Sequence, residues 1–178
     1  MTSTKIVREQ ALRLVLFSAI LLAIVVAPRF AQARDRVQFD LGIASGTIVI
    51  KTSERKLYLA LGDGTALRYP VAVGKPGKQW FGTKYIDTKR VRPAWSPPDE
   101  VKRDKPFLPD VIAGGAPNNP MGERALTMAP GQDYAIHGTN RPDSIGTFAS
   151  YGCIRMLNRD IVDLFDRVEV GTPVVVIR

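Results

Sequence analysis

Cys153 and His137 are the only cysteine and the only histidine in the 178-residue chain. They lie 16 positions apart in a segment that opens Ile136-His137-Gly138-Thr139 and closes Ser150-Tyr151-Gly152-Cys153-Ile154-Arg155. A thiol attacks as its thiolate, and the free group has a pKa of about 8.5, so a nucleophilic cysteine needs a neighbouring base or positive charge. Histidine is the side chain that titrates near neutrality by default, and Arg155 adds a cation two residues on. Gly152 has no side chain to keep a carbonyl away from the backbone, and successive N–H groups around Cys153 suit the oxyanion of a tetrahedral intermediate. The bland reading stays open on composition alone, because a lone cysteine is often a small buried hydrophobe.

Such a pair must be brought together by the chain between. Pro142, Asp143 and Gly146 lie near the midpoint of the 15 intervening residues, and these turn formers let the segment fold back on itself. Strand-like runs at 47–51, 55–61 and 67–73 are rich in β-branched and aromatic residues, with Leu57, Leu59 and Leu61 on one alternating face. Gly62-Asp63-Gly64 and Gly74-Lys75-Pro76-Gly77 break them as turns. Residues 81–88, 124–128, 134–137 and 173–177 continue the series. One helix is expected near the C-terminus: Asn158 as its cap, Ile161, Leu164, Phe165 and Val168 as its buried stripe, and Gly171 beyond its end. The fold class is therefore mainly β, a sandwich or barrel with one C-terminal-region helix.

Residues 92–120 resist regular structure, with seven prolines and Gly114-Gly115. Trp95 and Phe107 argue for a packed loop, and long irregular segments in compact domains are often functional, so a wall or lid of a cleft is expected here. The segment overlaps the basic surplus. Residues 75–105 hold nine basic and four acidic side chains, which accounts for the net +5 left when residues 1–33, with four basic and one acidic residue, are removed from the full chain's +8.

That removal follows from the N-terminus. Lys5, Arg8 and Arg13 form a basic head, residues 14–27 are apolar except for Ser18, and Ala31-Gln32-Ala33 supplies a small-x-small cleavage pattern. Fourteen residues rise only about 21 Å as a helix, short of the roughly 30 Å hydrocarbon core, so an exported leader is favoured over a membrane anchor. Residues 34–178 then form one domain, which would meet the membrane only through an uncleaved leader. Export makes nucleic acid a poor partner for the basic stretch, and an acidic substrate or anionic envelope surface a better one. One His and one Cys cannot build the usual zinc patterns, and no metal or other cofactor is expected. Ser53-Glu54-Arg55-Lys56 matches S-x-x-K formally, but it sits between two strand-like runs without the accompanying S-D-N and K-T-G elements and reads as a turn.

Ile-His-Gly-Thr followed by Ser-Tyr-Gly-Cys-Ile-Arg-Met resembles the signature of the L,D-transpeptidases, the YkuD-type catalytic domain. Residues 69–75 resemble that family's strand into a glycine turn, and Asn119-Pro120-Met121-Gly122 its segment before the catalytic strands. The likeness covers about 47–177 and implies a β-sandwich-like fold acting on peptidoglycan stem peptides in the periplasm or cell envelope. It implies that Cys153 attacks the amide before the terminal D-alanine of a stem tetrapeptide, with His137 as base and the Gly138 carbonyl orienting the imidazole. Gly152 and Cys153 would supply oxyanion N–H groups, and Arg155, Tyr151, Ser150 and Thr139 would contact substrate. The thioester would pass to an amine of a neighbouring stem, giving a 3→3 cross-link, or of an envelope lipoprotein, and carbapenems would acylate the same thiol. An L,D-carboxypeptidase, a cross-link-cleaving amidase and a non-catalytic peptidoglycan-binding module are the alternatives. Two departures stand out. Tyr151 replaces a frequent histidine, and residues 79–83 replace a frequent Thr-Pro-x-Gly turn without being expected to touch a catalytic group.

Overall fold

The computed structural model describes residues 35–130 and 134–178, which fall within one compact unit, Arg34–Arg178. The expected leader lies outside the described residues. Ten strands and two α-helices follow in the order β1 (Asp35–Gln38), β2 (Ile48–Lys51), β3 (Lys56–Ala60), β4 (Thr65–Gly74), β5 (Gly82–Val91), α1 (Asp99–Asp104), β6 (Arg124–Ala129), β7 (Ala135–His137), β8 (Phe148–Ser150), β9 (Ile154–Met156), α2 (Asn158–Arg167) and β10 (Pro173–Ile177).

The sheet runs β4-β3-β2-β10-β5-β6-β7-β9, and β9 returns to β4 through Val71↔Met156 and Ala72↔Arg155. This closure makes a barrel-like sandwich and leaves fewer unpaired strand edges. It depends on the length of β4, whose first half pairs with β1 and β3 while its second half takes β9 and β8. Alternation decides what goes inside. Ile48, Ile50, Leu57, Leu59, Tyr69, Val71 and Val73 enter the main core, whereas Val49, Tyr58 and Ala66 face the other way and pack with Phe39. Phe39 stacks on Tyr58 with ring centroids 4.7 Å apart, so the outer face of these strands is also covered.

Helix α2 packs on β6 and β7 through the anticipated stripe: Ile161 and Leu164 are fully buried, and Val168 follows just past the last turn. Asn158 is not its cap. Leu157 occupies that position, and the Asn158 side chain turns toward β7, where Oδ1 accepts from the N–H groups of Thr139 (3.0 Å) and Glu123 (3.2 Å) while Nδ2 donates to the Thr139 carbonyl (3.0 Å). A β-carbon on Gly138 would lie 2.2 Å from Asn158 Oδ1. Glycine after His137 is thus needed for the start of α2 to dock behind the histidine strand.

The segment 92–120 is held by a Trp95↔Ile112 bridge and by Asn119, whose side-chain amide donates to the carbonyls of Pro93 (3.0 Å) and Ala113 (2.9 Å). It contains α1, which the proline-rich composition did not suggest. Phe107 does not help to pack it, being 81% exposed.

Candidate active site

Parallel pairing of β7 with β9 aligns Ile136 with Ile154 and His137 with Arg155. Side chains alternate along each strand, so His137 shares a face with Arg155 and, two residues back, with Cys153 at the mouth of β9. All three line one cleft, together with Ser150, Tyr151, Tyr134 and the wall residues Trp95, Pro98, Glu100, Val101 and Pro120. The loop that sequence marks as a wall therefore is one. Thr139 is not part of this cleft: it is buried on another side, with its backbone tied to Asn158 and its hydroxyl accepting from the Arg141 N–H at 2.9 Å.

His137 is buried, and its Nδ1 lies 2.7 Å from the Gly138 carbonyl oxygen. A carbonyl only accepts, so Nδ1 carries the proton and Nε2 holds the free lone pair, a tautomer set by the hydrogen-bond network. Burial lowers the His137 pKa to about 4; the Arg155 charge adds to the fall, and the carbonyls of Gly138 and Pro120 oppose it. Cys153 is half-buried and free. Burial pushes its thiol up, against a backbone hydrogen bond from Ala135 and the charge of Arg155. Both shifts favour uncharged forms. They weigh toward a thiol and a neutral imidazole rather than an ion pair.

The turn before Cys153 is stitched by Ser150, whose hydroxyl accepts from the Gly152 N–H (3.1 Å) and donates to the Cys153 carbonyl. This revises the expected oxyanion site, because the Gly152 N–H is already committed within the turn. Gly152 has φ +124°, and a β-carbon there would lie 2.2 Å from a Tyr134 ring carbon, so backbone angle and space both require glycine. Trp80 also reaches this turn, its Nε1–H donating to the Gly152 carbonyl at 3.0 Å. The variant loop at 79–83 thus contacts the peptide adjoining Cys153, contrary to the reading from sequence.

Tyr151 joins the turn to the wall. Its hydroxyl donates to Asp104 at the end of α1, Lys75 lies 3.7 Å from both the Asp104 carboxylate and the Tyr151 ring centroid, and Lys78 pairs with Glu100. The Tyr151 hydroxyl and, less strongly, Lys75 hold the Asp104 carboxyl below its usual range. Much of the basic surplus is occupied locally: Lys75, Lys78, Lys89, Arg92 and Lys102 all sit in ion pairs. Removing one hydrogen bond worth about 1 kcal/mol changes a local opening equilibrium by about fivefold. Tyr151→Phe is accordingly expected to speed amide hydrogen exchange at Lys102 and Lys105, whose N–H groups close the turns of α1. Unchanged exchange would show that the wall stands without this contact.

Among the described residues no group of three or more His, Cys, Asp or Glu side chains is placed to hold a metal ion. Fold and cleft together define a closed mainly β domain whose cleft is lined by a thiol and an oriented imidazole. The model of the L,D-transpeptidase catalytic domain (YkuD) matches residues 45–176, and the chain belongs to that family. It is 39% identical over 137 residues to the probable L,D-transpeptidase YbiS of Escherichia coli, a match covering 71% of this chain and 43% of the relative. The chain thus spans less than half of that relative's length. The catalytic domain of the Enterococcus faecium L,D-transpeptidase superposes with a TM-score of 0.57 at 20% identity, covering 76% of this chain and 98% of that one. L,D-transpeptidase 3 of Mycobacterium tuberculosis, solved with a faropenem-derived adduct, superposes with a TM-score of 0.57 at 16% identity over 74% of this chain and 60% of that one. At these identities the two structures establish the shared fold.

Proposed function

We propose that this chain is an exported, cysteine-dependent L,D-transpeptidase that cross-links peptidoglycan stem peptides in the periplasm or cell envelope. The observation that carries the reading is the 2.7 Å contact from His137 Nδ1 to the Gly138 carbonyl, which leaves Nε2 as a base in the same cleft as Cys153. Family membership supports the substrate class.

The chemistry follows from the two neutral groups. Cys153 Sγ attacks the carbonyl carbon of the amide between the L-centre of the diamino acid and the terminal D-alanine, while its proton passes to His137 Nε2. The Cys153 N–H faces the developing oxyanion. Collapse breaks the C–N bond, His137 returns the proton to the departing D-alanine amine, and a thioester remains on Cys153. An acceptor amine then attacks the thioester, losing its proton to His137, and the restored thiol completes the cycle. Arg155, half-buried in the cleft wall, suits a substrate carboxylate through its bidentate fork.

Incubating residues 34–178 with a tetrapeptide muropeptide and resolving the products by mass spectrometry tests the reading. Cross-linked dimers with stoichiometric D-alanine release are expected. Free tripeptide alone would make the protein an L,D-carboxypeptidase, cleavage of supplied dimers a cross-link-cleaving amidase, and binding without turnover a peptidoglycan-binding module. Supplying an envelope lipoprotein's terminal amine as acceptor separates attachment from cross-linking.

A further inference from the structure

We infer that Trp80 is a positioning residue for this site, holding the Cys153 N–H in its oxyanion-binding direction through the Gly152 carbonyl. The inference rests on the acyl-transfer reading above. Trp80 lies on the turn between β4 and β5 and does not line the cleft, so it acts through the backbone and not on substrate.

The Gly152 carbonyl and the Cys153 N–H belong to the same planar peptide unit, which is trans, so the two bonds point in opposite directions. Fixing the oxygen therefore fixes the N–H. The Trp80 indole N–H does this from outside the turn at 3.0 Å. Ser150 restrains the two flanking groups, the Gly152 N–H and the Cys153 carbonyl, but neither of its contacts touches the peptide between them. Without Trp80, a glycine at φ +124° would leave that unit only its steric neighbours to set its rotation.

Trp80 is itself held. Its ring stacks on Tyr134 with centroids 5.2 Å apart and planes 10° from parallel, and the Lys84 ammonium lies 5.7 Å from the Trp80 ring centroid and 5.6 Å from that of Tyr134. The same Tyr134 ring excludes any side chain at position 152. One aromatic pair thus closes Gly152 from the side and anchors its carbonyl. A donor aimed at a carbonyl also polarises the peptide and makes its N–H a better donor. The turn is in this way both oriented and strengthened for a negative charge.

Trp80→Phe tests the assignment, because it keeps a ring for the Tyr134 stack and deletes only the donor. Loss of a whole oxyanion donor costs about 10²–10³ in rate, and loosening one is expected to slow Cys153 acylation by a carbapenem on the order of tenfold. The half-saturating concentration should stay within about twofold, since uniform binding is untouched. The Cys153 amide proton should shift in the NMR spectrum of the unreacted protein. Benzothienylalanine at position 80, a tryptophan isostere with sulfur in place of N–H, gives the same comparison should the phenylalanine variant not fold. Acylation within twofold of the parent overturns the inference, as does slowed acylation with an unmoved Cys153 amide. A parent that forms no adduct sinks the transpeptidase reading instead, so the two failures are distinct.

Discussion

Cys153→Ala is expected to abolish covalent labelling by a carbapenem, with the parent gaining the mass of one ring-opened molecule and the variant gaining none. Cys153 is the chain's sole thiol, so no other cysteine can take over the attack. Muropeptide cross-linking should fall by at least about 10⁴-fold, the scale seen when a nucleophile is removed and only binding and oxyanion contacts are left. The fold should survive. Cys153 is half-buried at the start of β9, outside both buried hydrophobic clusters, and its backbone contacts to Ser150 do not involve sulfur. A variant with unchanged thermal unfolding but no adduct would place the chemistry on Sγ. Equal labelling of parent and variant would remove Cys153 from the mechanism.

The parts of this architecture that were legible from sequence are those where burial repeats with a period. Residues 48–51, 56–60 and 173–177 alternate or run apolar because one or both faces meet the core, and α2 shows its stripe at Ile161 and Leu164. Two of the strands that assemble the cleft did not show. Phe148–Ser150 and Ile154–Met156 are three residues each, too short for a period to emerge, and their place in the sheet comes from pairing with β4 and β7. Helix α1 is six residues, has none of them buried, and rests on pairs such as Tyr151–Asp104 and Lys78–Glu100 that join distant parts of the chain.

At the site, residue types pointed to Cys153 and His137 because the chemistry admits few alternatives. Their support was not visible, since it is mostly backbone and long-range. Asn158 reads locally as a helix cap, yet its amide oxygen meets better-placed donors in the N–H groups of Glu123, just before β6, and Thr139, just after β7. Thr139 follows the histidine-glycine pair in sequence, but the chain turns there and buries it away from the cleft. Residues 79–83 read as remote from the catalytic groups because the partner of Trp80 is a carbonyl 72 residues away. A glycine beside a candidate nucleophile was a signal that something approaches closely; Tyr134 is what approaches.

The neutral thiol–imidazole pair makes a further prediction, on pH. His137→Gln keeps a donor for the Gly138 carbonyl but removes the base, and should slow acylation by about 10²–10⁴-fold at pH 7. The parent's rate should rise as His137 loses its proton near pH 4 and then stay flat across neutrality. In the variant only preformed thiolate reacts, so the residual rate should climb with pH through the neutral and alkaline range, the raised thiol pKa keeping that limb high. A parent limb centred near 6.5 would instead mean an ordinary imidazole and refute the neutral pair. Stability gives an independent readout with a fixed sign. Between the unfolded histidine value of about 6.5 and the folded value of about 4, the unfolded chain takes up a proton that the native one refuses. Stability from this group is therefore complete above pH 6.5 and is lost as pH falls toward 4, by about 3 kcal/mol at the limit. Denaturant unfolding of parent and His137→Gln at pH 7 and pH 4.5 should show the parent losing more, and parallel losses would place the imidazole in a more solvated setting than the cleft provides.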